Sequence, residues 1–140
     1  MAKNYCVCIL LNKDLTKTLL IQKAQGKLFA GMFNGLGGKL ELNETPKEAC
    51  IREIFEESNG KIKLKNPVHL ASITFPHEEP INLHTFYDII DEVDLGENAE
   101  GKAHWKPVEF LLDFNNELLV GYGNLPYFCK LALNTINNTW

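Results

Sequence analysis

The chain has 140 residues, 45% of them hydrophobic, and a formal charge of −4, which is the size of one domain with enough apolar side chains to bury a core. The acidic balance offers no footprint for a nucleic-acid backbone and no attraction to an anionic membrane surface. No apolar run approaches the roughly 20 residues of a membrane span, which leaves small molecules as partners, including phosphorylated ones whose charge a bound metal could offset.

In chain order, Tyr5 to Leu11 (YCVCILL) predicts a buried strand. Asn12 to Lys17 predicts a polar turn, and Thr18 to Ala24 a second strand as the hairpin partner of the first. The opening apolar run is short, ends in Asn12, Lys13 and Asp14 and has no small-residue cleavage site, so no signal peptide is expected and the reading is cytoplasmic. Cys6 and Cys8 share one strand face. With Cys50 and Cys129 they read as small core hydrophobes of a reducing compartment, since no Cys/His pair has zinc-site spacing.

The next segment, GKLFAGMFNGLGGKLELNET, holds Gly26, Gly31, Gly35, Gly37 and Gly38. Such density predicts a loop whose backbone itself touches a ligand. A well-marked helix follows. Thr45 is the expected N-cap, Pro46 the first helical residue and Glu48 the partner in a capping box. The helix is expected to run to about Ser58, with Asn59 and Gly60 as a left-handed stop.

Lys61 to Leu64 and Val68 to Phe75 read as strands, PHEEP (76–80) as a turn, and Ile81 to Ile90 as a returning strand. Residues 91–103 read as acidic and irregular, and His104 to Phe110 as a last strand. A helix is expected from about Asn124 to Asn137, its apolar side made by Leu125, Phe128, Leu131, Ala132, Leu133 and Ile136. There is no internal repeat or long linker. Strands, helix, strands, helix predict an α/β (α+β) class, as a mixed sandwich in one domain over 1–140 rather than a βαβ repeat.

Glu53, Glu56 and Glu57 stand at i, i+3 and i+4 on the first helix and share a face. Cys50, Ile51, Ile54 and Phe55 occupy the opposite arc. Carboxylates at this spacing repel each other, a cost that a hard cation removes, and magnesium favours such oxygens and bridges to phosphates. With the glycine segment directly before the helix, exposed amides and an anionic face converge in a way that suits a pyrophosphate.

The segment GGKLELNETPKEACIREIFEESNG resembles the Nudix box. Gly38, Glu44, Arg52, Glu53, Ile54, Glu56 and Glu57 fall at the required spacing. At the end of the box Asn59 stands where the family has glycine and Gly60 where it has an aliphatic residue. Asn is the next-best left-handed cap, so the turn is expected to survive. The resemblance implies a Nudix-type α/β/α sandwich with a mixed central sheet, and a pyrophosphohydrolase dependent on Mg2+, with Mn2+ as the substitute. It implies a catalytic set of Glu53, Glu56, Glu57, Arg52 and Glu44. In that set Glu53, Glu56, Glu57 and the Gly38 carbonyl hold the metal, Glu53 is a candidate general base, and Arg52 pairs with Glu44 to fix the loop against the helix.

A distal carboxylate often completes the metal site in this family; Glu100 is the candidate here and Glu97 the second choice. FNGLGGKLE is similar to the MutT-like nucleoside triphosphatases, which makes Asn34 a base-binding candidate, beside its ordinary use as a turn residue. The acidic second base-reading group of some relatives has no counterpart in GYGNLPYF, where Asn124 is the nearest substitute. Lys23 and Lys39 are candidates for phosphate contacts. Phe33, Trp105 and Tyr127 could stack on a base but read first as core. The expected substrate is a nucleoside triphosphate, ordinary or oxidised, cleaved to monophosphate and pyrophosphate by a monomer or homodimer. The alternatives are ADP-ribose, a nucleotide sugar or a dinucleoside polyphosphate as substrate, or a non-catalytic nucleotide-sensing domain.

Overall fold

The sheet is built around β1 (Lys3–Leu11), because both faces of this strand are apolar. Cys6, Cys8 and Leu10 are buried on one side, Val7, Ile9 and Leu11 on the other. A strand covered on both faces reads as a continuous apolar run, as YCVCILL does. The structure, a computed structural model, describes residues 2–76, 78–121 and 124–139.

β2 (Lys17–Lys23) is the antiparallel partner that the sequence predicts, but their shared ladder consists of Leu10–Leu19 and Leu11–Thr18. Beyond it the strands diverge. β4 (Leu36–Lys39) takes the edge of β1 from Tyr5 to Cys8, and β3 (Phe33–Asn34) pairs with β2. On its other side β1 runs parallel to β6 (Ile81–Ile89), which is antiparallel to β5 (Val68–Phe75). β8 (Gly101–Pro107) lies along β2, and β7 (Glu97–Asn98) along β8. The order β5-β6-β1-β2-β8-β7, with one parallel pair among antiparallel ones, is a mixed sheet.

α1 (Pro46–Glu57) covers one face. Its start is as read from the sequence: Thr45 accepts from the Glu48 N–H and the Glu48 carboxylate accepts from the Thr45 N–H, a reciprocal cap of a kind whose loss costs ~1 kcal/mol. Ala49, Cys50 and Ile54 pack into a core with Cys6, Cys8, Leu36 and Phe86. Asn59 and Gly60 then take φ of 55° and 77°, the left-handed stop. α3 (Asn124–Asn137) covers the opposite face through Leu125, Phe128, Cys129 and Ala132, with the short α2 (Val108–Leu112) beside it. Helices on both faces of a mixed sheet make the α/β/α sandwich expected above. All four cysteines are free and buried. Burial pushes the Cys6 and Cys129 thiols up to about 12. Among the described residues no helix is long and apolar enough to cross a membrane.

Four local expectations are corrected. The glycine segment is not all loop: β3 and β4 lie within it, and glycine is needed because a Cβ on Gly35 would stand 2.6 Å from Val7 Cγ2, and one on Gly37 would run into the Cys6 carbonyl. Lys61 to Leu64 is extended with Ile62 and Leu64 buried, but it joins no ladder; alternation marks burial of one face and does not supply a partner. The stretch 91–103 is not irregular throughout, since β7 and the start of β8 fall in it, and Pro107 ends β8 so that VEFLL turns into α2. Phe55 and Tyr127, read as inward-facing, are 41% and 49% exposed. Phe55 instead packs on Gly60 with Lys63 above its ring. The turn at 76–80 falls between β5 and β6 as expected, with residue 77 outside the described residues.

Candidate active site

The divergence of β1 and β2 leaves room for β4 to run beneath α1, so the glycines of β4 face the glutamates of the helix. Gly37 donates its N–H to Glu57 Oε1 at 2.6 Å. A Cβ on Gly38 would lie 2.5 Å from Glu53 Oε2, so the Glu53 carboxylate occupies the space that any other side chain would need. β4 thus supplies an amide to one carboxylate and a vacancy to the other.

Arg52 lies behind these groups and holds the loop to the helix. Its Nε and Nη2 donate to Glu44 Oε2 and Oε1 at 2.7 and 2.9 Å, a two-point pairing. Nη1 donates to Glu53 Oε1 at 2.8 Å and reaches Glu56 at 3.3 Å, and Nη2 also donates to the Lys39 carbonyl at 3.1 Å. Glu44 accepts further from the Glu41 N–H at 2.9 Å. Its hydrogen bonds to Arg52 hold the Glu44 carboxyl below the usual range, against a smaller opposing effect of burial.

The acids of the helix are not equivalent. Burial raises Glu57 to about 8, helped by the charges of Glu53 and Glu100 and opposed by the Gly37 N–H and Lys23. Burial also raises Glu53, with Arg52 opposing. Glu56 is exposed, its side chain 56% accessible. From across the site Glu100 meets Lys23 at 3.3 Å and Lys27 at 3.4 Å. Burial pushes its carboxyl up, but the two lysines outweigh it and leave it lowered.

These groups line a cavity of about 810 Å3. Its lining includes the charged group Glu53, Glu56, Glu57, Glu100, Lys23 and Lys39 with Gly38, and the aromatic and aliphatic side chains of Tyr5, Phe75, Leu83, Leu125 and Phe128. Asn34 and Asn124 also line it. Asn34 ends β3 opposite Ile21, and its Oδ1 accepts from the Gly35 N–H at 2.8 Å, so it is a strand residue that also lines the cavity rather than the alternative, a turn residue. Glu97 does not line the cavity: it is exposed on β7, opposite Lys102. Phe33 and Trp105 are core, the one buried beside His104 and Phe110, the other packed on the α1-side core with its indole N–H on the Val93 carbonyl. Sequence reasoning missed Tyr5, Phe75, Leu83, Lys27 and Asn98 as neighbours of the site. Strand alternation placed Tyr5, Phe75 and Leu83 on definite faces, but only the β1–β6–β5 pairing tells which face looks on the cavity. Nothing local marked Asn98.

Among the described residues no three His, Cys, Asp or Glu side chains converge on one point. Glu53 and Glu56 are turned to Arg52, Glu57 to Gly37, and Glu100 to the lysines. The donor chemistry nevertheless fits a hard divalent cation. Four carboxylates share one cavity, and two of them are driven towards protonation by burial. Added positive charge would relieve that cost.

The fold is a mixed-sheet sandwich in which a carboxylate-bearing helix is set against a glycine strand, beside a cavity lined by both charged and apolar side chains, the arrangement of a Nudix-type domain. The chain belongs to the NUDIX domain family, whose model matches residues 2–117. It is 30% identical over 94 residues to the oxidized purine nucleoside triphosphate hydrolase of Danio rerio, a match spanning 66% of this chain and 60% of that protein's length. Among solved structures it is similar to the MutT protein of Bacillus halodurans, with 28% identity, a TM-score of 0.69, and 90% of this chain and 79% of that one covered. It also shares its fold with the NUDIX domain of Shewanella oneidensis NrtR, solved with ADP ribose, at 12% identity and a TM-score of 0.74, over 97% of this chain and 89% of that one.

Proposed function

We propose that the chain is a single-domain, metal-dependent pyrophosphohydrolase of the cytoplasm. Its substrate is a nucleoside triphosphate, ordinary or oxidised, converted to monophosphate and pyrophosphate. The observation that carries this is the mixed lining of one cavity: carboxylates and lysines, apolar side chains, and the amides of Asn34 and Asn124. A triphosphate needs the first part and a purine the other two. The curated relative, a purine triphosphate hydrolase, supports the same reading.

In this proposal Glu53, Glu56, Glu57, Glu100 and the Gly38 carbonyl would hold Mg2+, or Mn2+ in its place. When bound, the cation offsets the negative charge of the pyrophosphate oxygens and makes water a better nucleophile. Glu53 accepts the proton of the attacking water; its burial raises its basicity towards that role, while Arg52 keeps it oriented. Glu57 is fixed by the Gly37 amide. Arg52 and Glu44 act through position, not by touching the substrate. Lys23 and Lys39 meet the phosphates. Asn34 and Asn124 read the base with neutral amides, each able to donate and accept.

The test is a panel of ordinary and oxidised nucleoside triphosphates, ADP-ribose, nucleotide sugars and dinucleoside polyphosphates, with magnesium and then manganese, scored by the phosphorylated products. Pyrophosphate release from triphosphates is expected, with a base preference that shifts in Asn34→Ala and Asn124→Ala. Turnover confined to ADP-ribose, sugars or dinucleotides would discard the triphosphate reading. No turnover with either metal would assign the domain to nucleotide binding instead.

A further inference from the structure

Glu57 and Glu100 come from distant parts of the chain, the end of α1 and the turn between β7 and β8, yet both line the same cavity. Two carboxylates of like charge repel, which works against that proximity. Something other than the carboxylates must fix their separation when no cation lies between them.

Asn98 occupies that place. Its Nδ2 donates to the main-chain carbonyl of Glu57 at 2.9 Å, and its Oδ1 accepts from the main-chain N–H of Glu100 at 2.9 Å. Only one orientation of the amide satisfies both, because a carbonyl cannot donate and an N–H cannot accept. The Glu57 carbonyl belongs to the last turn of α1, where carbonyls have no partner within the helix. One side chain therefore closes the C-terminal end of the helix and the β7–β8 turn together. Asn59 Nδ2 on the Leu95 carbonyl at 2.8 Å straps the end of α1 to the segment leading into β7, but it does not touch the backbone of either glutamate.

We infer that Asn98 is a positioning residue for metal binding: it sets the distance between Glu57 and Glu100 by hydrogen-bonding to the backbone of both. This rests on the proposed metal-dependent reading of the cavity. Asp at this position keeps the acceptor for Glu100 but loses the donor to Glu57 and adds a third charge beside the two carboxylates. Ala removes both bonds and adds none. Ala therefore predicts the larger loss of metal affinity and Asp a smaller one, because Asp keeps the bond to Glu100 and its added charge attracts a cation.

The experiment is Mn2+ titration of wild type, Asn98→Ala, Asn98→Asp and, as a control on the exposed side of β8, Lys102→Ala, read by calorimetry and by paramagnetic broadening of the Gly37 and Gly38 amides. Hydrogen exchange at the Glu100 amide is measured on the metal-free proteins. Loss of an outer-shell partner lowers metal affinity by ~10–100-fold. Asn98→Ala is expected in that range, Asn98→Asp between Ala and wild type, and Lys102→Ala within about twofold of wild type, with faster exchange at Glu100 in Asn98→Ala and not in Asn98→Asp. In turnover, the Mg2+ needed for half-maximal rate rises in Asn98→Ala while KM for the nucleotide stays near wild type. Unchanged Mn2+ affinity in Asn98→Ala would overturn the inference. Wild type that binds Mn2+ at Gly37 and Gly38 but turns over no nucleotide would instead defeat the hydrolase reading and leave the Asn98 assignment to the affinities. Wild type that binds no Mn2+ there would defeat both, with the Glu100 exchange rates reporting the strap alone.

Discussion

Glu57 rests on the Gly37 amide, its Oε1 2.6 Å from that nitrogen, inside a cavity whose walls raise its carboxyl to about 8. A carboxyl raised on folding lowers stability as pH rises. Below the ordinary glutamate range the folded and unfolded chains are both protonated at this position. Between that range and about pH 8 the folded chain retains a proton the unfolded chain has lost, and above it the cost is complete. In chelator, the metal-free protein should therefore lose stability from pH 5 to pH 9 through this group. Glu57→Gln should lie on the order of 2 kcal/mol above wild type at pH 9, discounted for water in an open cavity, and close to it at pH 5. Urea denaturation at the two pH values checks this; parallel curves for the two proteins would refute it.

The same substitution should end activity. Glu53→Gln and Glu57→Gln each keep the shape of the side chain and remove its charge. Turnover should fall on the order of 10²–10³-fold, the loss typical for one preorganised electrostatic contact to a transition state, with circular dichroism unchanged. Normal rates in both variants would sink the mechanism.

Gly38→Ala tests the fit between β4 and α1. The added methyl group would land on the Glu53 carboxylate, so the helix must shift or Glu53 must leave its place beside Arg52. Overpacking of this kind costs about 1–3 kcal/mol. The expected result is a folded protein with a lower melting temperature and a raised metal requirement. Wild-type values of both would mean that the contact is loose.

Arg52 bonds to Glu44, Glu53 and the Lys39 carbonyl, and its side chain is only 23% exposed. Arg52→Ala leaves Glu44 and Glu53 without their cation and should destabilise by about 3 kcal/mol. Arg52→Lys restores the charge but not the two-point geometry, so it should recover part of the stability and less of the activity. Equal stability for Lys and Arg would show that charge alone matters. Chemical denaturation gives the first quantity and steady-state rates the second.

The helix of the site was readable because its signals are local. Thr45, Pro46 and Glu48 mark the start, Asn59 and Gly60 the end, and three acids at helical spacing mark the face. α3 was readable for the same reason, from the spacing of Leu125, Phe128 and Ala132. What escaped depends on pairing at long range. β8 begins at Gly101, earlier than its apolar residues suggest, because β2 is there to receive it. Lys61 to Leu64 has the alternation of a strand and no partner in the sheet. Tyr5 and Leu83 meet across the parallel β1–β6 pair, whose members are 78 positions apart. Asn98 bonds to a backbone carbonyl 41 residues away. A polar residue in an acidic stretch carries no mark of such a partner.

The four buried thiols give the molecule an internal reporter. At neutral pH a thiol raised to about 12, as Cys6 and Cys129 are, is almost wholly protonated, and only the thiolate reacts. These cysteines lie in both cores, on either side of the sheet. A thiol reagent should therefore leave the native protein unmodified and label it only as fast as the cores open. No engineered probe is then needed to time the opening: the rates at Cys50 on α1 and Cys129 on α3 would tell whether the two helical layers of the sandwich open together or one before the other.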